Sequence, residues 1–263
     1  MLIVILISTM PSKKTLYVPG QNEPFELSRS KVDLFLQCPR CFYIDRSEKY
    51  RISRPSGPMS YIPTALDILL KNEFDKNRSS QTVHPYCKDH DIDLIPFQHE
   101  EIKDWQNNRK GIRYHDPDTN FILYGAIDDC WTDNNGKLFV ADYKTTTVSY
   151  DKKTNEPLAA SLDEKGAAHK YWYKKQVEFY QWLFTKKDFN VSTTAYFVFC
   201  SAFYKNIENF NEELKFKIEI LSYEGDYSWV DDTIIEIKKT LDNEEAPNSN
   251  PNCKHCIYRN SEI

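Results

Sequence analysis

The sequence predicts a single α+β domain organised around a central β-hairpin, and three observations support this prediction. Between residues 121 and 145, two apolar runs flank Asn134-Asn135-Gly136, and an Asn-Gly step tolerates the positive φ angles of a tight hairpin turn. Residues 64–77 and 167–184, on either side of the hairpin, repeat apolar side chains at helical spacing. A Cys-x-x-Cys pair lies near each end of the chain, so the two ends are expected to meet at one metal centre.

Helices are also predicted before the hairpin. Ser28 or Ser30 can cap a short helix that ends at the first Cys-x-x-Cys turn, because an apolar-periodic run follows these serines. Thr64 is expected to cap a second helix, which ends near Asn77 and carries a continuous apolar face. The polar stretch that follows is expected to hold only a short helix near residues 100–107.

Beyond the hairpin, a long polar loop leads into alternating helices and strands. The predicted elements are an aromatic-rich helix over 167–184, strands near 193–200 and 214–221, and a helix over 227–241. The polar tail before the last cysteine pair has the composition of a linker. A helix, several strands, a helix and a further strand form an α+β order with the hairpin at its centre.

Two carboxylates are predicted to face each other across the hairpin. If the turn is centred on Asn135, Asp128 stands directly opposite Asp142, and Lys144 follows on the same face. Opposed carboxylates on apolar strands are destabilising unless a cation lies between them. A divalent metal ion together with Lys144 would meet that requirement, because hard cations such as Mg²⁺ take carboxylate oxygens. The alternative is that these acids are surface residues with Lys144 as an ion-pair partner.

The charge balance excludes some classes of function. The formal net charge of -5 argues against a protein that coats nucleic acid without specificity, because such binding depends on phosphate neutralisation. A nucleic-acid site must then be a local patch, and one candidate is the run of basic residues between 29 and 54. Glycine-rich phosphate loops of the GxxxxGKS/T or GxGxxG type do not occur, so an ATP-driven motor is not expected.

The first ten residues, MLIVILISTM, are apolar but lack the basic start of an export signal and are too short to span a membrane. Residues 1–23 are therefore predicted to be a disordered N-terminal extension, and residues 24–263 the domain. Without an export signal, the seven cysteines are expected to be reduced thiols or metal ligands, and the cytosol is the expected compartment. No association with a membrane is expected.

The central motif resembles that of a known enzyme superfamily. Gly125-Ala-Ile-Asp128, a turn, and then Asp142-Tyr-Lys144 resemble the signature of the PD-(D/E)XK nucleases. The similarity is greatest to their RecB-like branch, which includes the CRISPR-associated spacer-acquisition exonucleases. This resemblance implies an αβββαβ restriction-endonuclease-like core that hydrolyses DNA with Mg²⁺ or Mn²⁺. It implies that Asp128, Asp142 and the backbone carbonyl of Tyr143 bind the metal, and that both acids and Lys144 are catalytic.

Two further segments resemble elements of the same branch. The segment PTALD resembles GTAxH, which puts Asp67 where the branch has a metal-binding histidine, and Glu73 is the alternative acid on this helix. Gln176 and Tyr180 share a helix face and resemble a QxxxY element that lines the nucleic-acid groove. The structural alternatives are an ion pair between Asp67 and Lys71 and plain core packing of the aromatic stripe.

The cysteines near the chain ends are the second motif with ligand spacing. A Cys-x-x-Cys unit can bind one tetrahedral ion or one cluster through two thiolates. Related nucleases carry a 4Fe-4S cluster that fastens their termini, usually through one early and three late cysteines, whereas this chain has two and two. The resemblance favours a 4Fe-4S cluster, with Zn²⁺ as the alternative. The expected ligands are Cys38, Cys41, Cys253 and Cys256.

The sequence thus predicts a metal-dependent deoxyribonuclease acting in DNA repair, recombination or defence. A helicase or another repair or defence subunit is a candidate partner. Exonuclease activity is typical of the resembled group, and the sequence leaves exo and endo cleavage open. Two other hypotheses also stay open: a catalytically silent nucleic-acid-binding subunit with the same fold, and a zinc-knuckle interaction protein whose hairpin acids are incidental.

Overall fold

The computed structural model of the chain describes residues 16–55, 57, 60–163, 165, 167–205, 207, 209 and 211–260. The strands are β1 (Phe25–Ser28), β2 (Ile95–Pro96), β3 (Ile112–Asp116), β4 (Phe121–Gly125), β5 (Asp129–Thr132), β6 (Leu138–Thr147), β7 (Thr194–Ala202) and β8 (Phe216–Glu224). The helices are α1 (Arg29–Gln37), α2 (Pro39–Arg46), α3 (Tyr61–Ser80), α4 (Pro85–Lys88), α5 (Ile102–Trp105), α6 (His169–Lys186), α7 (Trp229–Asp242) and α8 (Lys254–Asn260).

A five-stranded sheet forms the centre of the fold, with the order β2-β5-β6-β7-β8. Strand β5 is antiparallel to both β2 and β6, and β8 is antiparallel to β7. Strands β6 and β7 are parallel, because α6 connects them as a crossover. Helix α3 precedes these strands, so α3, β2, β5, β6, α6 and β7 reproduce the predicted αβββαβ order. The predicted α+β fold class is therefore confirmed.

The predicted hairpin over residues 121–145 is correct only in its second part. Strands β5 and β6 pair around the Asn-Gly turn, as expected. Strand β4, in contrast, pairs with β3 and β1 in a separate three-stranded sheet. A second turn explains this pairing: Asn120 adopts a φ of 57°, and the side chain of Asp116 accepts a 3.2 Å hydrogen bond from the backbone N–H of Thr119. That turn closes a β3–β4 hairpin which the sequence analysis missed.

The first Cys-x-x-Cys segment begins a helix instead of forming the predicted turn. Cys38 ends α1 and, in an extended conformation, serves as the N-cap of α2. Pro39 occupies the first helical position, where its missing N–H costs no hydrogen bond. Helix α3 begins at Tyr61, before the predicted cap at Thr64, and continues past residue 77. These differences extend the helical layer around the sheet without changing the fold class.

The five-stranded sheet separates two hydrophobic cores. Val140 of β6 belongs to the core that contains α1, α6 and α7. Tyr143 of the same strand belongs to the other core and packs against Phe74 of α3, with ring centroids 5.5 Å apart. Because side chains alternate along a strand, Asp142 and Lys144 lie on the α6 side of the sheet. The alternation therefore turns the predicted site residues towards α6.

The N-terminal part of the chain packs on the domain earlier than predicted. Tyr17 is buried, its ring centroid lies 5.2 Å from that of Phe25, and its hydroxyl accepts a 2.8 Å hydrogen bond from Lys238 Nζ. Residues 16–23 of the predicted extension are among the described residues, and Tyr17 there is part of the core. Residues 1–15, with the apolar opening, lie outside the described residues. In the described part of the chain, no helix has the length and apolar character needed to cross a bilayer.

Candidate active site

The pairing of β5 with β6 has the predicted register. Asp129, the first residue of β5, pairs with Ala141, so the next pair beyond it is Asp128 and Asp142. The Oδ2 atom of Asp128 accepts a 2.9 Å hydrogen bond from the backbone N–H of Tyr143, which fixes this carboxylate at the end of the hairpin. The two acids therefore meet across the strands, as the turn chemistry predicts.

Asp142 is a buried carboxylate with open lone pairs. Its side chain has 0% relative exposure, and its Oδ2 is in ion-pair contact with Lys144 Nζ. Neither oxygen has a hydrogen-bond partner of good geometry among the described residues. Burial raises the pKa of Asp142 to about 7, with Lys144 opposing the rise and Asp128 adding to it. Such a carboxylate is suited to accept a cation.

Lys144 is held in place by residues of α6. Its Nζ donates a 3.0 Å hydrogen bond to Gln176 Oε1 and lies 4.4 Å from the ring centroid of Tyr173. Burial alone would lower the pKa of Lys144, but the two hairpin carboxylates raise it, so the ammonium stays charged. The Nε2 of Gln176 in turn donates to the hydroxyl of Tyr180 over 3.4 Å. The predicted Gln176 and Tyr180 pair thus lies beside the lysine.

A third carboxylate comes from α3. Lys71 Nζ lies 2.9 Å from Asp67 Oδ2 and 3.3 Å from Asp128 Oδ1, so one ammonium bridges the two acids. Burial and the charge of Asp128 raise the pKa of Asp67, and Lys71 lowers it. Glu73, in contrast, has a side chain that is 44% exposed and an Oε1 atom 3.6 Å from Nε2 of His84. Asp67, and not Glu73, is the helix acid beside the hairpin.

An arginine and an aspartate of α1 also border the site, and the sequence analysis missed their place in it. Arg29 forms an ion pair with Asp33. Burial would lower the pKa of Arg29, but the nearby Tyr180, Asp33 and Asp142 raise it. A Cβ atom at Gly125 would lie 2.7 Å from Cε1 of Tyr180, so a glycine lets β4 approach α6 here. The i,i+4 spacing of Arg29 and Asp33 predicts their ion pair but not their position beside the site.

The candidate basic patch near the N-terminus has structural partners. Lys31 and Arg46 both pair with the buried Asp45, at 2.8 and 2.7 Å. Arg54 donates to Sγ of Cys253 over 3.4 Å. These contacts join the N-terminal helices to each other and to the C-terminal tail. They give the patch a structural explanation that does not require nucleic acid.

The structure brings the two Cys-x-x-Cys pairs together. The ligand atoms of Cys38, Cys41, Cys253 and Cys256, hereafter the four-Cys group, all lie within 4.8 Å of one another. All four side chains are buried. A group with this composition and proximity can bind a metal that fastens α2 to α8.

The three carboxylates fit a hard divalent cation. Oxygen atoms of Asp67, Asp128 and Asp142 are donors of the kind that Mg²⁺ and Mn²⁺ prefer. Two features show that positive charge is favoured here: the Lys71 ammonium bridges two of the acids, and the third has buried oxygens without hydrogen bonds. The arrangement can therefore hold a metal ion close to a fixed lysine.

Comparisons with known proteins bear on both the fold and the site. A family model described as the PD-(D/E)XK nuclease superfamily matches residues 59–261. The matched span contains the three carboxylates, Lys144, α6 and the second cysteine pair, while the first cysteine pair precedes it. No curated protein matches the chain in a sequence search.

Proposed function

The chain belongs to the PD-(D/E)XK nuclease superfamily and has its nuclease-type fold, and from this membership we propose that it is a metal-dependent deoxyribonuclease of the RecB-like branch. Asp142 is the observation that carries the proposal, because its carboxylate is buried, is ion-paired with Lys144 through Oδ2, and has no hydrogen-bond partner at Oδ1 within the described residues. Leaving a buried acceptor unpaired costs about 1–3 kcal/mol, and more for a charged group. Such a cost is expected where the carboxylate binds a ligand.

The proposed metal ligands come from the hairpin and from α3. We assign Mg²⁺ or Mn²⁺ to oxygens of Asp128 and Asp142, with Asp67 and the backbone carbonyl of Tyr143 as further ligands. When bound, such an ion lowers the pKa of a water molecule and offsets negative charge on a phosphodiester. Because Lys71 bridges Asp67 and Asp128 in the structure, its ammonium would have to withdraw before Asp67 could act as a ligand.

Lys144 is the proposed catalytic residue on the protein side. Its ammonium is fixed by Asp142, Gln176 Oε1 and the ring of Tyr173, so its remaining N–H donors have few directions available. From there it can donate a hydrogen bond to the attacking water or to a phosphate oxygen as negative charge develops. Gln176 keeps the ammonium in position, and Tyr180 with Gln176 is proposed to position the DNA strand.

DNA is the substrate that membership of this superfamily implies. We propose hydrolysis of its phosphodiester bonds in repair, recombination or defence, with a helicase or another subunit of such a system as the candidate partner. Metal-dependent hydrolysis would take place at the hairpin, and the four-Cys group would have a separate structural role near the chain ends.

A cleavage assay with matched lysine variants tests the proposal. Wild-type protein, Lys144→Ala and Lys110→Ala are incubated with end-labelled single- and double-stranded DNA in Mn²⁺, Mg²⁺ or EDTA. Lys110 is the control because its side chain is 61% exposed and pairs with Asp104 away from the site. Wild-type and Lys110→Ala protein should cleave only with metal, and Lys144→Ala should be slower by about 100-fold or more. Equal rates for wild-type and Lys144→Ala would refute the assignment. Folded wild-type protein that binds DNA without cutting it would support the silent subunit.

A further inference from the structure

The sulfur atoms of the four-Cys group lie very close together. Sγ of Cys38 is 3.6 Å from Sγ of Cys256, and Sγ of Cys41 is 3.7 Å from that of Cys253 and 3.8 Å from that of Cys256. No separation within the group exceeds 4.8 Å. Because the thiolates surround whatever they bind, these distances limit the size of the bound centre.

One tetrahedral ion accounts for the closest of these separations. A zinc–thiolate bond is about 2.3 Å long, and two vertices of a regular tetrahedron are separated by about 1.63 bond lengths, so neighbouring sulfurs should be ~3.8 Å apart. Three of the separations in the group, from 3.6 to 3.8 Å, match this value. The group therefore has the dimensions of a closed structural site for a single ion.

A 4Fe-4S cluster requires a wider arrangement. Each of its four thiolates binds a different iron at the corner of a cube, so the sulfurs stand outside the cube and roughly 6 Å from one another. Every pair in the group would have to separate, some by roughly 2 Å, to admit such a cluster. Cys38 is fully buried at the start of α2, so this opening would move helices that pack on the core.

The groups around the sulfurs also suit thiolates on one small ion. The backbone N–H of Cys41 donates to Sγ of Cys38 over 3.4 Å, within the first cysteine pair. The second pair has a cationic neighbour at Sγ of Cys253. Arg54 donates to the same sulfur and offsets part of the negative charge of four thiolates.

We propose that the four-Cys group binds a single tetrahedral Zn²⁺ ion and not the 4Fe-4S cluster that the sequence resemblance favours. Zinc is the natural occupant of a closed site with four thiolates. The ion joins residues that are 212 positions apart in the chain, so it fixes the tail on α2 against a large loop-closure entropy. This inference concerns the chain ends and does not depend on the proposed nuclease activity.

Metal analysis of the full-length protein tests the inference. The protein is purified without oxygen, and its zinc, iron and acid-labile sulfide are measured together with its visible absorption spectrum. We expect colourless protein with one zinc per chain and no sulfide. Brown protein that contains iron and sulfide in equal amounts would overturn the inference, because only a cluster supplies both.

A pair of cysteine variants assigns the metal to this group. Cys253→Ser should lose the zinc and lower the thermal midpoint, whereas Cys200→Ala should keep the zinc, because Cys200 is a buried thiol of the other core. If Cys253→Ser does not fold, Co²⁺ exchanged into the wild-type protein replaces this test. The visible absorption of tetrahedral cobalt thiolate would then support the inference, and its absence from the cobalt-loaded protein would overturn it, because octahedral cobalt at the carboxylates does not report on the sulfurs.

Discussion

Replacing Asp142 by asparagine should change how the stability of the metal-free protein depends on pH. Burial raises the pKa of Asp142 from 3.8 to about 7, so the native state keeps this proton to a higher pH than the unfolded chain does. The associated stability is fully present below the unfolded pKa and is lost as the pH rises through the folded pKa. Asparagine resembles the protonated carboxyl group and has no such proton to lose.

The size of the effect follows from the pKa. At about 1.4 kcal/mol for each pH unit, the rise corresponds to ~4 kcal/mol in total, of which ~2 kcal/mol is lost between pH 5 and pH 7. Relative to Asp142→Asn, the wild-type protein should therefore lose about 2 kcal/mol of unfolding free energy across that interval. Comparing the change with pH, and not the absolute stability, removes any constant effect of the substitution on Lys144.

Urea unfolding in EDTA at several pH values between 5 and 8 measures this difference. Asp118→Asn is the control, because Asp118 is an exposed acid outside the site, and it should follow the wild-type protein. Mn²⁺ at pH 8 should restore stability to the wild-type protein and leave Asp142→Asn unchanged, because the ion replaces the missing proton. Parallel pH curves for wild-type and Asp142→Asn would refute the claim that this carboxylate is buried at a cost.

Three further predictions concern the residues around Asp142. Lys71→Ala should tighten Mn²⁺ binding by roughly threefold to tenfold in a calorimetric titration, because it removes the ammonium that competes for two carboxylates. Weaker binding would contradict this prediction. Asp67→Ala should weaken Mn²⁺ binding in the same titration, while Glu73→Ala should not, because Glu73 lies near His84. If only Glu73→Ala weakens binding, Glu73 and not Asp67 is the metal ligand on α3. Gln176→Ala should lower kcat for DNA cleavage by about 10- to 100-fold with little change in KM, because it releases Lys144; a change in KM alone would indicate a binding role only.

The hairpin register could be predicted from the sequence because a single local feature determines it. The Asn-Gly turn fixes which residues face each other, and that places Asp128 opposite Asp142. The same alternation puts Lys144 on the face of Asp142. Strand β4 was assigned to the wrong hairpin because its apolar pattern fits either partner, and the turn at residues 116–120 decided the pairing.

Contacts between distant elements could not be predicted in the same way. Lys71 reaches Asp128 only because α3 lies over the edge of the sheet, and Arg29 borders the site only because α1 packs against α6. The cysteine spacing predicted that the chain ends would meet, but it is identical for an ion and for a cluster. Only the distances between the sulfur atoms distinguish the two.

The most direct test of the central claim is the rate of DNA hydrolysis by wild-type and Asp142→Asn protein, measured side by side with Mn²⁺, Mg²⁺ or EDTA. Circular dichroism establishes beforehand that both proteins are folded. Under this claim, wild-type protein should cleave DNA in Mn²⁺ or Mg²⁺ but not in EDTA, and the variant should be slower by about 100-fold or more. Cleavage that persists in EDTA, or that proceeds equally fast in the variant, would contradict it.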